Sequence, residues 1–101
     1  MKELDVLYET IKERKAHGEE GSYTSYLFNK GTEKILKKVG EECSEVIIAT
    51  LAQQKEDKIN ELSDLLYHLL VLMVDQDITL EEVNEELAKR SQKTHNLKAE
   101  R

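Results

Sequence analysis

The sequence predicts an all-α fold, a single-domain bundle of four to five helices. Three observations lead to this prediction: the 101 residues contain no proline and only four glycines, aromatic residues make up 5%, and charged residues, mostly Glu and Lys, make up 36%. This composition favours helices over β-sheet. A chain of this length buries only about 65% of the surface that it exposes when unfolded. We therefore expect self-association to add to its stability.

The first helix is expected over residues 2–16, followed by a loop. Apolar residues recur there at helical spacing: Leu4, Leu7, Tyr8 and Ile11. The segment from Gly18 to Gly31 is expected to be an ordered loop with one helical turn at residues 25–29. Its hydroxyl-bearing side chains fit a substrate loop or a solvated connector, and composition alone favours the connector.

Two longer helices are predicted in the middle of the chain, over residues 32–53 and 58–75. Residues 54–57 are expected to form the turn between them, with Asp57 as the N-cap of the later helix. The second half of that later helix is apolar almost all round, which is typical of a helix buried on every side. Because one small bundle can hardly surround such a helix, the pattern predicts a homodimer formed by helix packing.

The last predicted helix has the strongest start signal. Thr79 and Glu82 have the Thr-x-x-Glu spacing of a capping box. The helix is expected to run to about Thr94, and residues 95–101 are expected to be a frayed tail. Three of its apolar residues are expected to face inward: Val83, Leu87 and Ala88.

Acidic residues border the apolar face of the helix over residues 32–53. At about 100° per residue, Glu42 and Glu45 share one edge of this helix, and Glu41 lies slightly further round. The neighbouring positions on the same face are apolar: Ile35, Val39, Val46 and Ala49. A carboxylate at the edge of a core is costly unless another group compensates its charge.

The next helix repeats this pattern with Glu61 and Asp64, and His68 follows one turn later. A short turn makes the two helices antiparallel, so the acidic pairs of both helices can converge. Converging carboxylates repel one another unless protons or cations neutralise them, and oxygen ligands favour Mg²⁺ or Mn²⁺. Acids at this spacing are also common on solvated helices. Both interpretations stay open at this point.

The remaining polar residues allow two interpretations each. Lys34 and Lys38 precede the acids on the same side of the helix, where they can form salt bridges along the helix or contact phosphate. His68 can contact substrate, support a ligand or be a buried polar residue. Cys43 points to the apolar side and is expected in the core.

Charge and hydropathy limit the partners and the location. A formal net charge of −6 makes nucleic acid or an anionic membrane an unexpected partner. A single cysteine fits a reducing compartment. The amino-terminal residues lack the apolar core of a signal peptide, and the longest apolar run, from Leu69 to Val74, is far too short to span a bilayer. A cytoplasmic protein is therefore expected.

The acidic spacing resembles that of a known superfamily. Glu41-Glu42-x-x-Glu45 followed by Glu61-x-x-Asp64 is similar to the signature of the all-α MazG-like nucleotide pyrophosphohydrolases. The stretches SYTSYLFNKGTEKILKKVGEECSEVIIA and ELSDLLYHLLVLM resemble the phosphoribosyl-ATP pyrophosphohydrolases more closely. The resemblance covers residues 4–90.

This resemblance implies a reaction and a set of site residues. The implied reaction is Mg²⁺-dependent hydrolysis of phosphoribosyl-ATP to phosphoribosyl-AMP and pyrophosphate, the second step of histidine biosynthesis, by a homodimer with a MazG-like bundle. The implied metal ligands are Glu42, Glu45, Glu61 and Asp64. The candidate catalytic acids are Glu41, Glu42 and Glu45, and we hypothesise that Glu41 or Glu45 is the general base. Substrate contacts are hypothesised for Ser22, Tyr23, Thr24, Ser25, Lys34, Lys38 and His68.

Two alternatives remain beside that interpretation. The first is a related enzyme that hydrolyses other nucleoside triphosphates at the same acidic site. The second is a non-catalytic helical dimerisation module whose acids are solvated. Metal-dependent turnover distinguishes the enzymes from the module, and substrate choice distinguishes the two enzymes.

Overall fold

The structure, a computed structural model, describes residues 2–52 and 54–92. Over these ranges the chain forms five α-helices and no β-strand, which confirms the all-α prediction. The helices are α1 (Lys2–Ala16), α2 (Tyr23–Lys30), α3 (Thr32–Ala52), α4 (Lys55–Asp75) and α5 (Leu80–Ser91). The predicted bounds of the first helix are confirmed. No helix among the described residues is long and apolar enough to cross a membrane.

Helix α2 replaces most of the loop that the sequence predicted. The expectation of one turn at residues 25–29 was wrong, because the helix runs from Tyr23 to Lys30. Its start is capped by the Ser22 side chain, which accepts a hydrogen bond from the Ser25 amide. It ends at Gly31, whose φ of 98° suits glycine and whose N–H donates to the Leu27 carbonyl at 3.0 Å.

Helices α3 and α4 form an antiparallel pair. The Thr32 hydroxyl, at the start of α3, donates to Asp75 Oδ2, at the end of α4, over 2.8 Å. The predicted start of the later helix was wrong: α4 begins at Lys55, with Gln54 as N-cap and Asp57 three residues inside it. The Asp57 carboxylate accepts from the Gln54 amide at 3.3 Å, as in a capping box. The predicted end of the earlier helix at Gln53 lies outside the described residues.

The core lies where α1, α2, α3 and α4 meet. It contains Tyr8, Ile11, Leu27, Ile35, Leu70, Val71 and Val74. Ile35 and Ala49 are buried and Val39 and Val46 are half-buried, which confirms the predicted apolar stripe of α3. The Tyr8 hydroxyl donates to the Ile78 carbonyl at 2.7 Å and so ties α1 to the turn before α5.

Helix α5 starts as predicted but is less buried than expected. The Thr79 side chain accepts from the Glu82 amide, and Glu82 accepts from the Thr79 amide, which confirms the capping box. Val83 and Leu87 line an open cavity together with Leu70 of α4, as expected of inward-facing residues. They and Ala88 are nevertheless exposed rather than buried. A helical wheel shows which side is apolar but not whether another helix of the same chain covers it. The expected end at Thr94 and the frayed tail over 95–101 lie outside the described residues.

One further expectation about burial was wrong, because Cys43 is exposed rather than in the core. Helix α4 is buried at Leu70, Val71 and Val74, while Leu66 on the same helix is 40% exposed. This incomplete burial agrees with the expectation that the chain alone can hardly surround the helix.

Candidate metal and nucleotide site

Three carboxylates from the two antiparallel helices converge. Glu42 on α3 and Glu61 and Asp64 on α4 each place a carboxylate oxygen within 4.8 Å of the other two. The arrangement follows from the short turn and from the antiparallel register that Thr32 and Asp75 close at the other end. The predicted convergence of the acidic pairs is thus present for three of the four acids.

The fourth predicted ligand, Glu45, lies close to this cluster but outside it. Glu45 is exposed one turn after Glu42 on α3. Its charge still acts on the cluster: the pKa of Glu61 is raised, first by desolvation and then by the negative charges of Asp64, Glu45 and Glu42. A raised carboxyl pKa is the expected result of crowded like charges. The cluster therefore favours a cation or a proton.

The donor atoms of this cluster fit a hard divalent cation. All three are carboxylate oxygens, two of them on half-buried side chains and one, that of Asp64, on an exposed side chain. Mg²⁺ and Mn²⁺ bind such oxygens and usually keep several water molecules. An exposed side of the site would leave room for those waters and for phosphate oxygens. The described residues can therefore hold a metal ion.

Lys38 lies beside the cluster and neutralises part of its charge. Its ammonium is 3.2 Å from Glu41 Oε1 and 3.8 Å from Glu42 Oε2. The hydrogen bond to Glu41 is the main reason why the pKa of Lys38 is raised. Glu41 thus contacts Lys38 at the border of the site, and Lys34 is half-buried one turn earlier on the same helix. The salt-bridge interpretation of Lys38 is confirmed, and it does not exclude phosphate contact.

The two predicted serines of the substrate segment hold the start of α2. Ser22 Oγ accepts from the Ser25 amide at 3.1 Å, and Ser25 Oγ accepts from the Glu19 amide at 2.9 Å. Ser25 is buried. Their hydroxyl oxygens are therefore engaged in shaping the backbone rather than placed in the acidic cluster.

Tyr23 and Thr24 connect α2 to α4. The Tyr23 hydroxyl is 3.0 Å from His68 Nε2, and the Thr24 hydroxyl is hydrogen-bonded to the Tyr67 hydroxyl. His68 is buried, and its Nδ1 lies 2.8 Å from the backbone carbonyl oxygen of Asp64. The predicted substrate segment is therefore fastened to the helix that carries two of the acids.

Tyr67 on α4 also contacts α2. It bonds Thr24, and its ring lies edge-on to His68 with centroids 4.8 Å apart. Its position three residues after Asp64 places it near the acidic edge of α4. That spacing was the only signal in the sequence, and it does not reveal the partner on α2.

Comparisons with known proteins point in one direction. A family model described as phosphoribosyl-ATP pyrophosphohydrolase matches residues 4–91. The chain is 55% identical to the phosphoribosyl-ATP pyrophosphatase of Clostridium acetobutylicum over 98 residues, 97% of this chain and 89% of that protein. It is 54% identical to the protein of the same name from Bacillus cereus over 88 residues, 87% of this chain and 82% of that protein.

A longer relative contains a matching segment. The chain is 60% identical to the histidine biosynthesis bifunctional protein HisIE of Oceanobacillus iheyensis over 80 residues. That match covers 79% of this chain but only 37% of the bifunctional protein. The similarity to HisIE is thus confined to one part of that protein.

Proposed function

Because the chain belongs to the phosphoribosyl-ATP pyrophosphohydrolase family, we propose that it hydrolyses phosphoribosyl-ATP to phosphoribosyl-AMP and pyrophosphate in histidine biosynthesis. The names of its relatives support the substrate and the pathway. The observation that carries the proposal is the convergence of Glu42, Glu61 and Asp64 at one end of the site, since a triphosphate needs cations to approach an acidic surface.

The three clustered acids would hold the cation, with Glu45 close enough to join them. A bound Mg²⁺ would neutralise charge on the triphosphate and make a bound water more acidic. Glu41 or Glu45 would accept the proton of the water that attacks the α–β linkage, acting as general base. Lys38 would contact phosphate from the neighbouring edge, and Lys34 would do so one turn away. Mg²⁺ is proposed over Mn²⁺ as the ion in use.

The substrate segment completes the proposed site. Tyr23 and Thr24 lie at the start of α2, next to α4, and are the members of the segment whose side chains reach another helix. Ser22 and Ser25 contribute by holding the turn that presents them. The cytoplasmic location expected from the sequence stays a prediction.

The proposal includes a homodimer. Large apolar side chains are exposed on one pair of helices: Leu36, Ile47, Ile48 and Leu51 on α3, and Ile59, Leu62 and Leu66 on α4. Monomeric proteins rarely expose so many large apolar residues together, and such patches are typical of interfaces. A second copy of the same chain would cover them by packing helix against helix.

The proposed activity is tested by measuring pyrophosphate release from phosphoribosyl-ATP with Mg²⁺ and with a chelator. Glu42→Gln and Asp64→Asn are expected to lower kcat/KM at least about a hundredfold, as loss of charge stabilisation in the transition state typically does. Glu56→Gln, at an exposed position on α4, serves as the control and is expected to keep its activity.

Two results would contradict the proposal. Turnover that is unchanged by the chelator and by both variants would contradict the proposal that these acids bind a catalytic metal ion. Rapid cleavage of ATP or dCTP by an enzyme that ignores phosphoribosyl-ATP would instead favour the related triphosphate hydrolases. Helical content measured by circular dichroism in each variant separates loss of activity from loss of folding.

A further inference from the structure

The hydrogen bonds of His68 define which of its nitrogens carries the proton. Nδ1 lies 2.8 Å from the carbonyl oxygen of Asp64, and a carbonyl oxygen can only accept, so Nδ1 must donate. In the neutral imidazole the other nitrogen, Nε2, then has a lone pair and no proton. Nε2 lies 3.0 Å from the Tyr23 hydroxyl, which must therefore donate its proton to His68.

The surroundings hold this ring in place. His68 is 5% exposed, and it lies edge-on to the rings of Tyr67 and Tyr23 at centroid distances of 4.8 and 5.7 Å. A ring flip would bring a C–H group to the Asp64 carbonyl and would break both hydrogen bonds. The packing therefore favours the single orientation that the two bonds require.

The phenol oxygen of Tyr23 is left as an acceptor on the site's edge. Tyr23 as a residue is 43% exposed, and its hydroxyl makes a partly buried hydrogen bond to His68. Lys38 and Glu42 are close enough to act on the pKa of Tyr23, which burial raises overall. Tyr23 therefore keeps its proton at neutral pH and donates it in the hydrogen bond to His68. Phosphate oxygens, which are themselves acceptors, are then poor partners for Tyr23, whereas sugar hydroxyls are good ones.

We propose that His68 is a positioning residue that acts through Tyr23: its Nε2 accepts the hydrogen bond of the phenol hydroxyl and leaves the Tyr23 oxygen to accept a hydrogen bond from a sugar hydroxyl of the substrate. This inference rests on the proposed function, since it concerns the same site. In this proposal His68 does not contact the substrate itself, because Tyr23 lies between them. The proposal also assigns Tyr23 to the sugar rather than to the phosphates.

The kinetic test uses four variants at about pH 8, where histidine is ordinarily neutral. Tyr23→Phe and His68→Leu are each expected to raise the KM for phosphoribosyl-ATP about three- to tenfold, with a smaller effect on kcat, as loss of one hydrogen bond does. The double variant is expected to be no worse than either single one, because both changes remove the same interaction. His68→Gln, whose amide oxygen can accept from Tyr23, is expected to restore part of the loss.

A second measurement separates sugar contact from phosphate contact. Inhibition by free pyrophosphate, which has no sugar, is expected to stay within about twofold of the wild type in Tyr23→Phe, because Tyr23 makes no phosphate contact. The matched control is Tyr8→Phe, which removes a hydrogen bond to the Ile78 carbonyl outside the proposed site. It is expected to lower the melting temperature while leaving KM unchanged.

Additive effects of the Tyr23 and His68 changes, or an equal rise in KM for Tyr8→Phe, would show a merely structural role and overturn the proposal. Weaker pyrophosphate inhibition that parallels the rise in KM would overturn the assignment to the sugar. An independent readout is the ¹⁵N spectrum of His68, assigned with His68→Gln: Nε2 should be unprotonated, and its shift should move in Tyr23→Phe. A protonated Nε2 would overturn the inference even if the enzyme is active, whereas absence of pyrophosphate release from the wild type would overturn the proposed function instead.

Discussion

The homodimer can be tested by shortening one exposed apolar side chain of α3. Ile47 is 61% exposed and is one of the large apolar residues exposed on the α3–α4 pair. Ile47→Ala removes three carbon atoms from that surface without adding charge or changing the helix propensity unfavourably. If a second copy covers this side, the variant is expected to dissociate more readily than the wild type. The fold of each chain should be unaffected, because Ile47 contributes little to the core.

The size of this effect follows from the exposure of Ile47. Burying each of the three carbons contributes about 0.8 kcal/mol. Because 61% of the side chain is available for burial in an interface, the loss per chain is about 1.5 kcal/mol. A two-fold interface contains the residue twice, so the dimer loses about 3 kcal/mol. The dissociation constant should therefore rise roughly a hundredfold.

Sedimentation equilibrium over a series of concentrations measures this constant directly. Val6→Ala provides the control: Val6 is 53% exposed, but it lies on α1, away from the α3–α4 apolar side. Its dissociation constant should match that of the wild type. A wild-type chain that sediments as a monomer throughout, or an Ile47→Ala variant with unchanged dissociation, would refute the assignment of this side to a dimer interface.

Three further predictions concern the acids and the core. Mg²⁺ at ten times its dissociation constant should raise the melting temperature of the wild type by about 6–11 °C, and Asp64→Asn should reduce this shift in the same thermal scan. The pKa of Glu61 is higher in the folded chain. The metal-free protein should therefore lose stability as pH rises from the ordinary carboxyl pKa through the raised one. In melting curves, Glu61→Gln should lack this part of the pH-dependent loss of stability. Leu27→Ala should lower the free energy of unfolding by about 2–5 kcal/mol in urea titrations, because Leu27 is fully buried.

Local signals in the sequence predicted the parts of the fold that local interactions determine. The capping box of Thr79 and Glu82 is formed by residues three apart, so its spacing alone predicts it. Helix α2 was missed because its residues have modest helix propensity and its stability comes from elsewhere. Leu27 is buried against other helices, and Tyr23 is hydrogen-bonded to His68 on α4. His68 is 45 positions away from Tyr23, so this contact leaves no local pattern in the sequence.

The sequence predicted which acidic residues form the candidate site, but not the exact register of α3 against α4. The short turn indicated that Glu42 can converge with the acids of α4, and the structure shows that it does. The start of α4 at Lys55 rather than residue 58 shifts the expected level by three residues, or about 4.5 Å along the helix axis. An error of this size decides whether Glu45 joins the cluster or lies beside it. Register depends on tertiary contacts such as the one between Thr32 and Asp75, which sequence spacing does not specify.

One turn of α4 connects the two halves of the proposed site. The side chain of Asp64 belongs to the acid cluster, while its backbone carbonyl accepts the Nδ1 proton of His68. His68 in turn accepts from Tyr23 on α2. A change in the position of this turn would therefore alter both the carboxylates and the presentation of Tyr23. Because the two functions use different atoms of Asp64, Asp64→Asn should weaken the response to Mg²⁺ and preserve the histidine tautomer, whereas His68→Leu should raise KM and preserve the response to Mg²⁺.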